Sequence, residues 1–152
     1  MVALPSDLLG TLSRLLEACQ DREQTYRGAA AQTRHADLQA LFRAYAEQRA
    51  RDAAELLGEA RRSGAALAGT PARMAALAPG DPEGKAAEND APENALIAAC
   101  AQGEEAAKEA FEAALKEDLP LPLAALIQRQ FARSKKAHLR VRELKAAIRP
   151  PA

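Results

Sequence analysis

The sequence predicts an all-α protein, an antiparallel four-helix bundle built from two helical hairpins that a long crossover linker joins. Apolar residues recur every three or four positions in four segments, which is the spacing of one helix face. Hydrophobic residues make up 48% of the chain, and most of them are alanine, whereas aromatic residues make up only 3%. This mixture suits close-packed helices. A turn of two or three residues separates the first two segments, so they form a hairpin.

Each predicted helix has a start signal and a stop signal. Ser6 and Asp37 are the expected N-caps of the first two helices. Gly64 ends the second helix, and Asp90 caps the third with Glu93 as its capping-box partner. A Leu-Pro-Leu-Pro sequence separates the last two helices. We therefore expect four helices, over residues 7–34, 37–63, 92–118 and 121–148.

The 152 residues suffice for one domain, residues 1–152. Its expected parts are a hairpin over 6–63, a linker over 64–91 that is rich in Gly, Pro and Ala, and a second hairpin over 92–148. Helices of this length span ~40 Å, and about 26 linker residues reach that far at up to ~3.3 Å each. The linker can therefore cross the length of the bundle.

Charge and hydropathy exclude several classes of function. Acidic and basic residues are equal at 21 each, so we expect no nucleic-acid partner. No run approaches the ~18 apolar residues that span a bilayer, and there is no basic leader, so we expect no membrane partner and a cytoplasmic location. The two cysteines are then free thiols. Leu57 and Leu139 lie outside the apolar stripes, which leaves a homodimer or higher homo-oligomer open.

Two glutamates occupy apolar stripes, and each follows a cysteine by four residues. The first pair is Cys19 and Glu23, the second Cys100 and Glu104. A buried carboxylate costs several kcal/mol unless a cation, a metal ion or a proton compensates it. The repeat therefore makes the compensating group the main functional question.

Counting from the turns places a nitrogen-bearing side chain at the level of each glutamate. Glu23 and Arg49 are each 13 residues from Ala36, and Glu104 and His138 are each 17 residues from Leu121. A crossover would bring the two levels within about one helical turn. We therefore expect one buried polar network, which consists of Glu23, Arg49, Asp52, Glu104 and His138.

Four features of the chain carry a resemblance: the repeated Cys-x-x-x-Glu, the arginine in helix two, the Leu-Pro break and the histidine in helix four. They are similar to those of a bacterial ferritin-like four-helix-bundle family described as a domain of unknown function. The resemblance covers about residues 6–148 and implies a ferritin-like bundle, but no activity. Members commonly have Cys-x-x-Gly-Glu at both places. This chain keeps Gly103-Glu104 but has Arg22 before Glu23, and its linker lacks the aromatic-containing helix common in the family.

Three functions fit these residues. A di-iron site of ferritin-like proteins takes a Glu from each of two helices and Glu-x-x-His from each of the others, whereas this chain offers Arg49-x-x-Asp52 and Lys135-x-x-His138. We favour a non-enzymatic, stress-associated or oligomeric protein that needs no cofactor and whose polar network is structural. The alternatives are an iron or manganese protein or oxidase, which binds metal through Glu23, Glu104 and His138 with Asp52 or water, and an acid/base catalyst.

Overall fold

The computed structural model describes residues 6–64 and 92–147, which contain four α-helices and no β-strand. The helices are α1 (Ser6–Gln32), α2 (Ala36–Arg62), α3 (Glu93–Leu115) and α4 (Leu121–Ala147). The all-helical prediction is confirmed, and the described helix ends lie within three residues of the predicted ones. Nearly all of the predicted linker, residues 65–91, and the last predicted helical residue, 148, lie outside the described residues.

The buried face of each helix follows spacings that alternate between three and four residues. In α1 the fully buried positions include Leu8, Leu12, Leu15, Cys19, Arg22, Tyr26 and Ala29. In α3 they include Ile97, Cys100, Glu104, Ala107, Phe111 and Ala114. This alternation averages 3.5 residues per turn, the repeat with which helices interlock in four-helix bundles.

Each helix packs against two others. Helix α1 contacts α2 and α3, and α4 contacts α3 and α2. Between α1 and α2, the ring of Tyr26 lies 6.1 Å from that of Phe42 and 5.3 Å from that of Tyr45. Between α1 and α3, the Arg22 guanidinium lies 5.6 Å from the centre of the Phe111 ring.

The helix ends differ in part from the predicted caps. Gly64 follows α2 with φ of 91°, a left-handed conformation that favours glycine and ends the helix as predicted. Ser6 is the first residue of α1. Asp37 lies in the first turn of α2 beside the helix dipole, while His35 is the N-cap and makes no side-chain capping bond. Asp90 lies outside the described residues.

Glu93, the first residue of α3, joins two helices, while the Asp90 end of the predicted capping box lies outside the described residues. Its carboxylate accepts a hydrogen bond of 2.7 Å from the Thr33 hydroxyl and one of 3.0 Å from the backbone N–H of Arg34. Both donors lie directly after α1, so the start of α3 is attached to the end of α1.

A layer of buried polar residues divides the core into two apolar clusters. One cluster includes Leu12, Leu56 and Phe111, and the other includes Phe42 and Ile97. The residues between them are candidates for function because buried polar groups need partners.

Among the described residues, no helix combines the length and the apolar character that a membrane span requires.

Candidate functional site

The polar layer contains two groups of residues, and each group combines charged with neutral polar side chains. We call Arg22, Tyr26, Glu104 and Ser134 the Glu104 centre, and Arg49, Asp52, Gln130 and Arg133 the Asp52 centre. The first joins α1, α3 and α4, and the second joins α2 and α4.

Glu104 accepts three hydrogen bonds, all from the protein. Its Oε1 accepts from Nη1 of Arg22 at 2.9 Å and from the Ser134 hydroxyl at 2.9 Å. Its Oε2 accepts from the Tyr26 hydroxyl at 2.5 Å. A fully buried carboxylate is stable only with such a complete set of donors.

Arg22 is paired through each of its three side-chain nitrogens. Besides binding Glu104, Nη1 donates to the Ser134 hydroxyl at 3.0 Å. Its Nε donates to the carbonyl of Ala18 at 3.2 Å, and Nη2 donates to Sγ of Cys19 at 3.5 Å. Arg22 is 1% exposed and Glu104 is 0% exposed, so the interior holds both members of this ion pair.

The environment keeps the donors of the Glu104 centre protonated. Burial, and then the neighbouring charge of Glu104, raise the pKa of the Tyr26 hydroxyl above its ordinary value. Burial alone would lower the pKa of Arg22, but its interactions with the Cys19 sulfur and the Glu104 carboxylate outweigh it, and the pKa of Arg22 lies above its usual value. The donors that face Glu104 are therefore the Arg22 cation and two neutral hydroxyl groups.

Asp52 is the middle of the second centre. Its Oδ1 accepts hydrogen bonds from Nη2 of Arg133 at 2.8 Å and from the side-chain amide of Gln48 at 3.0 Å. Its backbone carbonyl accepts one of 2.9 Å from the Gln130 amide. Arg49 Nη1 lies 3.6 Å from Oδ2, which is close enough for charge attraction and too long for a hydrogen bond.

Several buried atoms of the Asp52 centre and of Gln20 have no hydrogen-bond partner within residues 6–64 and 92–147. They are Nε and Nη1 of Arg49, Oδ2 of Asp52, Oε1 of Gln130, Nε of Arg133, and both amide atoms of Gln20 on α1. The two centres thus differ, because in the Glu104 centre the side-chain nitrogens of Arg22 and both oxygens of Glu104 have protein partners.

The structure separates the five residues of the predicted polar network. Arg49, Asp52 and Glu104 are buried as expected. Glu23 is instead half-buried and accepts a hydrogen bond of 2.9 Å from Nε of Arg27. Glu23 therefore pairs with Arg27 rather than with Arg49, its predicted partner.

His138 also lies away from Glu104. Its Nε2 is 3.4 Å from Glu105, whose side chain is 59% exposed. Glu23 and His138 both lie off the inner face of their helices for one physical reason. A buried face that repeats every 3.5 residues places Arg22 rather than Glu23, and Ala137 rather than His138, on the inner side of the helix.

Sequence reasoning missed Arg22, Tyr26 and Ser134 as members of one centre. The signal for Arg22 is the spacing Cys19–Arg22–Tyr26, three residues and then four. The duplicated motif is also used asymmetrically, because α1 buries its arginine and α3 buries its glutamate. Gly103 occupies the place in α3 that Arg22 occupies in α1, and a β-carbon there would lie 3.5 Å from Cγ of Arg22.

The predicted metal ligands are not gathered into one group. Among residues 6–64 and 92–147, no three His, Cys, Asp or Glu side chains are grouped so that they could hold a metal ion. Glu104, the one fully buried residue of the proposed Glu23–Glu104–His138 set, directs both oxygens at protein donors. The donor set around it includes the Arg22 cation, which opposes a divalent ion.

Comparison with protein families shows where the chain belongs. The model of a family described as Domain of unknown function (DUF2383) matches residues 7–117. The chain is a member of this family. The match covers α1, α2 and α3, so Arg22, Tyr26 and Glu104 of the Glu104 centre lie in the DUF2383 region, whereas Ser134 on α4 lies beyond it. A comparison with curated proteins found no match.

Proposed function

We propose that this DUF2383 member is a non-enzymatic four-helix-bundle protein of the ferritin-like, antiparallel kind, in which the Glu104 centre fixes the register of three helices. The observation that carries the proposal is the complete internal pairing of Arg22 and Glu104. A centre whose donors and acceptors are all occupied by its own protein offers no free position to a substrate or a metal ion.

The register role follows from the cost of separating the pair. A shift of α3 by one turn moves Glu104 about 5.4 Å along the bundle, away from Arg22 and Tyr26. Two buried charges would then lose their partners, at a cost of about 3–5 kcal/mol. The centre therefore acts against wrong alignments, as single buried polar residues do in some coiled coils.

The antiparallel arrangement is supported by contacts between α1 and α3. Glu93, at the start of α3, binds Thr33 beyond the end of α1. Phe111, eighteen residues later in α3, faces Arg22, eleven residues earlier in α1. Successive contacts that run backward along α1 are those of antiparallel neighbours, and they favour two hairpins related by a crossover.

Metal content and metal-dependent melting test this function. We expect protein purified without chelator to contain no stoichiometric iron or manganese, and its melting temperature to be unchanged by anaerobic Fe²⁺ or by Mn²⁺. Glu104→Gln should lower the melting temperature by about 5–15 °C, with or without metal, because Arg22 loses its counter-charge. Glu109→Gln, at an exposed position of α3, is the matched control and should melt like the wild type.

Stoichiometric metal in the wild type would overturn the proposal. So would a metal-dependent rise in melting temperature that Glu104→Gln abolishes, since binding to the folded state alone raises stability. Either result would favour an iron or manganese protein built on Glu104, with Glu23 and His138 as the further ligands.

A further inference from the structure

The Asp52 centre and Gln20 of α1 contain more buried hydrogen-bonding groups than the protein pairs. Seven side-chain atoms of Gln20, Arg49, Asp52, Gln130 and Arg133 are buried and lack a partner among the described residues. A buried hydrogen-bonding group that stays unpaired destabilises the folded state, because it has lost its bonds to water and gained none. These groups therefore need a partner that is not a protein group.

These groups lie together in the bundle. Arg49 lies 3.6 Å from the Asp52 carboxylate, and Gln130 binds the Asp52 carbonyl at 2.9 Å. Gln20 of α1 lies at about the same level, because α1 and α2 form a hairpin. Six residues after Gln20, Tyr26 contacts Phe42 and Tyr45 of α2, which lie seven residues before Arg49 and Asp52. Three helices thus carry buried, unpaired polar atoms at one level of the bundle.

The chemistry of the atoms defines their ligand. Arg49 offers unpaired donors, Asp52 and Gln130 offer unpaired acceptors, and the amide of Gln20 offers one of each. An anion would meet the carboxylate of Asp52, and a cation would meet the guanidinium of Arg49. Water donates and accepts, so it satisfies both kinds of group.

The two described grooves lie elsewhere on the bundle. A groove of about 370 Å³ lies between α1 and α3, and one of about 750 Å³ lies between α3 and α4. None of the residues that line these two grooves belongs to the Asp52 centre or is Gln20. A ligand of the size of water is the one that close-packed helices accommodate in small polar sites.

We propose that the Asp52 centre is a binding site for ordered water, which joins Gln20 of α1, Arg49 and Asp52 of α2, and Gln130 of α4. The water completes the hydrogen bonds of the Asp52 centre. Arg133 connects the site to the surface, because its side chain is 37% exposed and binds both buried Asp52 and exposed Glu55. Exchange of the water is expected along this side chain.

A high-resolution crystal structure of the full chain, together with water–protein NOE and ROE spectra in solution, tests the site. We expect density for at least one water within hydrogen-bonding distance of two of the four side chains. We also expect direct dipolar cross-peaks with water at the Gln20 amide and at Nε–H of Arg49. The Nε–H of Arg22, which donates to Ala18, is the internal control and should show none.

Gln20→Leu extends the test without changing either charged residue. The variant should lose a water or show its displacement, and the cross-peak at Arg49 should weaken. Direct pairing of Gln20, Arg49 and Gln130 with one another, density for an anion or metal ion at the site, or equal water cross-peaks at Arg22 and Arg49 would each overturn the proposal. None of these results bears on the internal pairing of Glu104, so the two proposals fail separately.

Discussion

The Glu104 and Asp52 centres share one polar layer but pair their charges differently. In the Glu104 centre, Arg22 and Glu104 meet at 2.9 Å, and hydroxyl groups complete the carboxylate. In the Asp52 centre, the buried arginine and carboxylate are 3.6 Å apart, and a half-exposed Arg133 makes the shorter contact of 2.8 Å. Equal burial therefore does not mean equal pairing.

The difference indicates which substitutions matter. Removing one member of a closed ion pair leaves the other buried without a partner, and this penalty dominates the loss. Removing a member that makes no hydrogen bond to its counter-charge leaves less behind when that counter-charge has other donors. The arginines Arg22 and Arg49, both 1% exposed, allow a direct comparison of these two cases.

The largest expected effect is the loss of Arg22. Arg22→Met should reduce the free energy of unfolding by about 3–5 kcal/mol at neutral pH, because Glu104 loses its cation. Arg49→Met should cost less than about 1.5 kcal/mol, because Asp52 keeps its bonds from Arg133 and Gln48. Urea unfolding of both variants and the wild type measures the difference. Equal losses would contradict the distinction between the two centres.

An intermediate effect is expected from the thiol one turn before Glu104. Burial, and then the charge of Glu104, raise the pKa of Cys100 to about 12, from an ordinary value of 9.0. Above pH 9 the unfolded chain loses this proton while the folded chain keeps it, so stability falls as pH rises toward 12. The loss is about 1.4 kcal/mol per pH unit.

Cys100→Ser isolates this contribution, because serine does not titrate in that range. The stability of the wild type relative to the variant should decrease between pH 9 and pH 11 in urea unfolding experiments. Below pH 9 the difference should be constant. Parallel stability curves up to pH 11 would show that the Glu104 centre does not hold the Cys100 thiol in its protonated form.

The smallest expected effect concerns the glycine opposite Arg22. A β-carbon at Gly103 would lie 3.5 Å from Cγ of Arg22, an ordinary van der Waals contact. Gly103→Ala should therefore stabilise the protein by about 0.5–1 kcal/mol through helix propensity. Gly28→Ala, where the added carbon meets nothing within 4 Å, is the matched control. A loss at Gly103 alone would indicate that the Arg22–Glu104 pair needs the space.

The amino-acid sequence determined the helices and the location of their polar residues in the core. Periodicity, the short turns and Gly64 are local signals, so the observed helix ends lie close to the expected ones. The burial of Arg49, Asp52 and Glu104 also followed from their positions in apolar stripes. These properties depend on neighbours within a few residues, which a single sequence contains.

The positions of Glu23 and His138 could not be obtained in the same way. A straight helix of 3.6 residues per turn drifts by ~20° per heptad from a face that repeats every 3.5 residues. Over two heptads from Leu8 the drift reaches ~40°. On a straight helix Arg22 and Glu23 therefore lie on either side of the face that Leu8 defines, about 40° and about 60° from it. The choice between the two repeats is made by packing against neighbouring helices.

The tertiary structure alone decided which cation meets which carboxylate. Arg22 and Glu104 are 82 residues apart in the chain, and their contact of 2.9 Å exists because α1 packs against α3 at that level. Arg49 was an equally suitable partner by charge and position in its own helix, yet its helix packs against α1 and α4. Electrostatic pairing depends on distances of a few ångströms between helices, and only the packed bundle sets those distances.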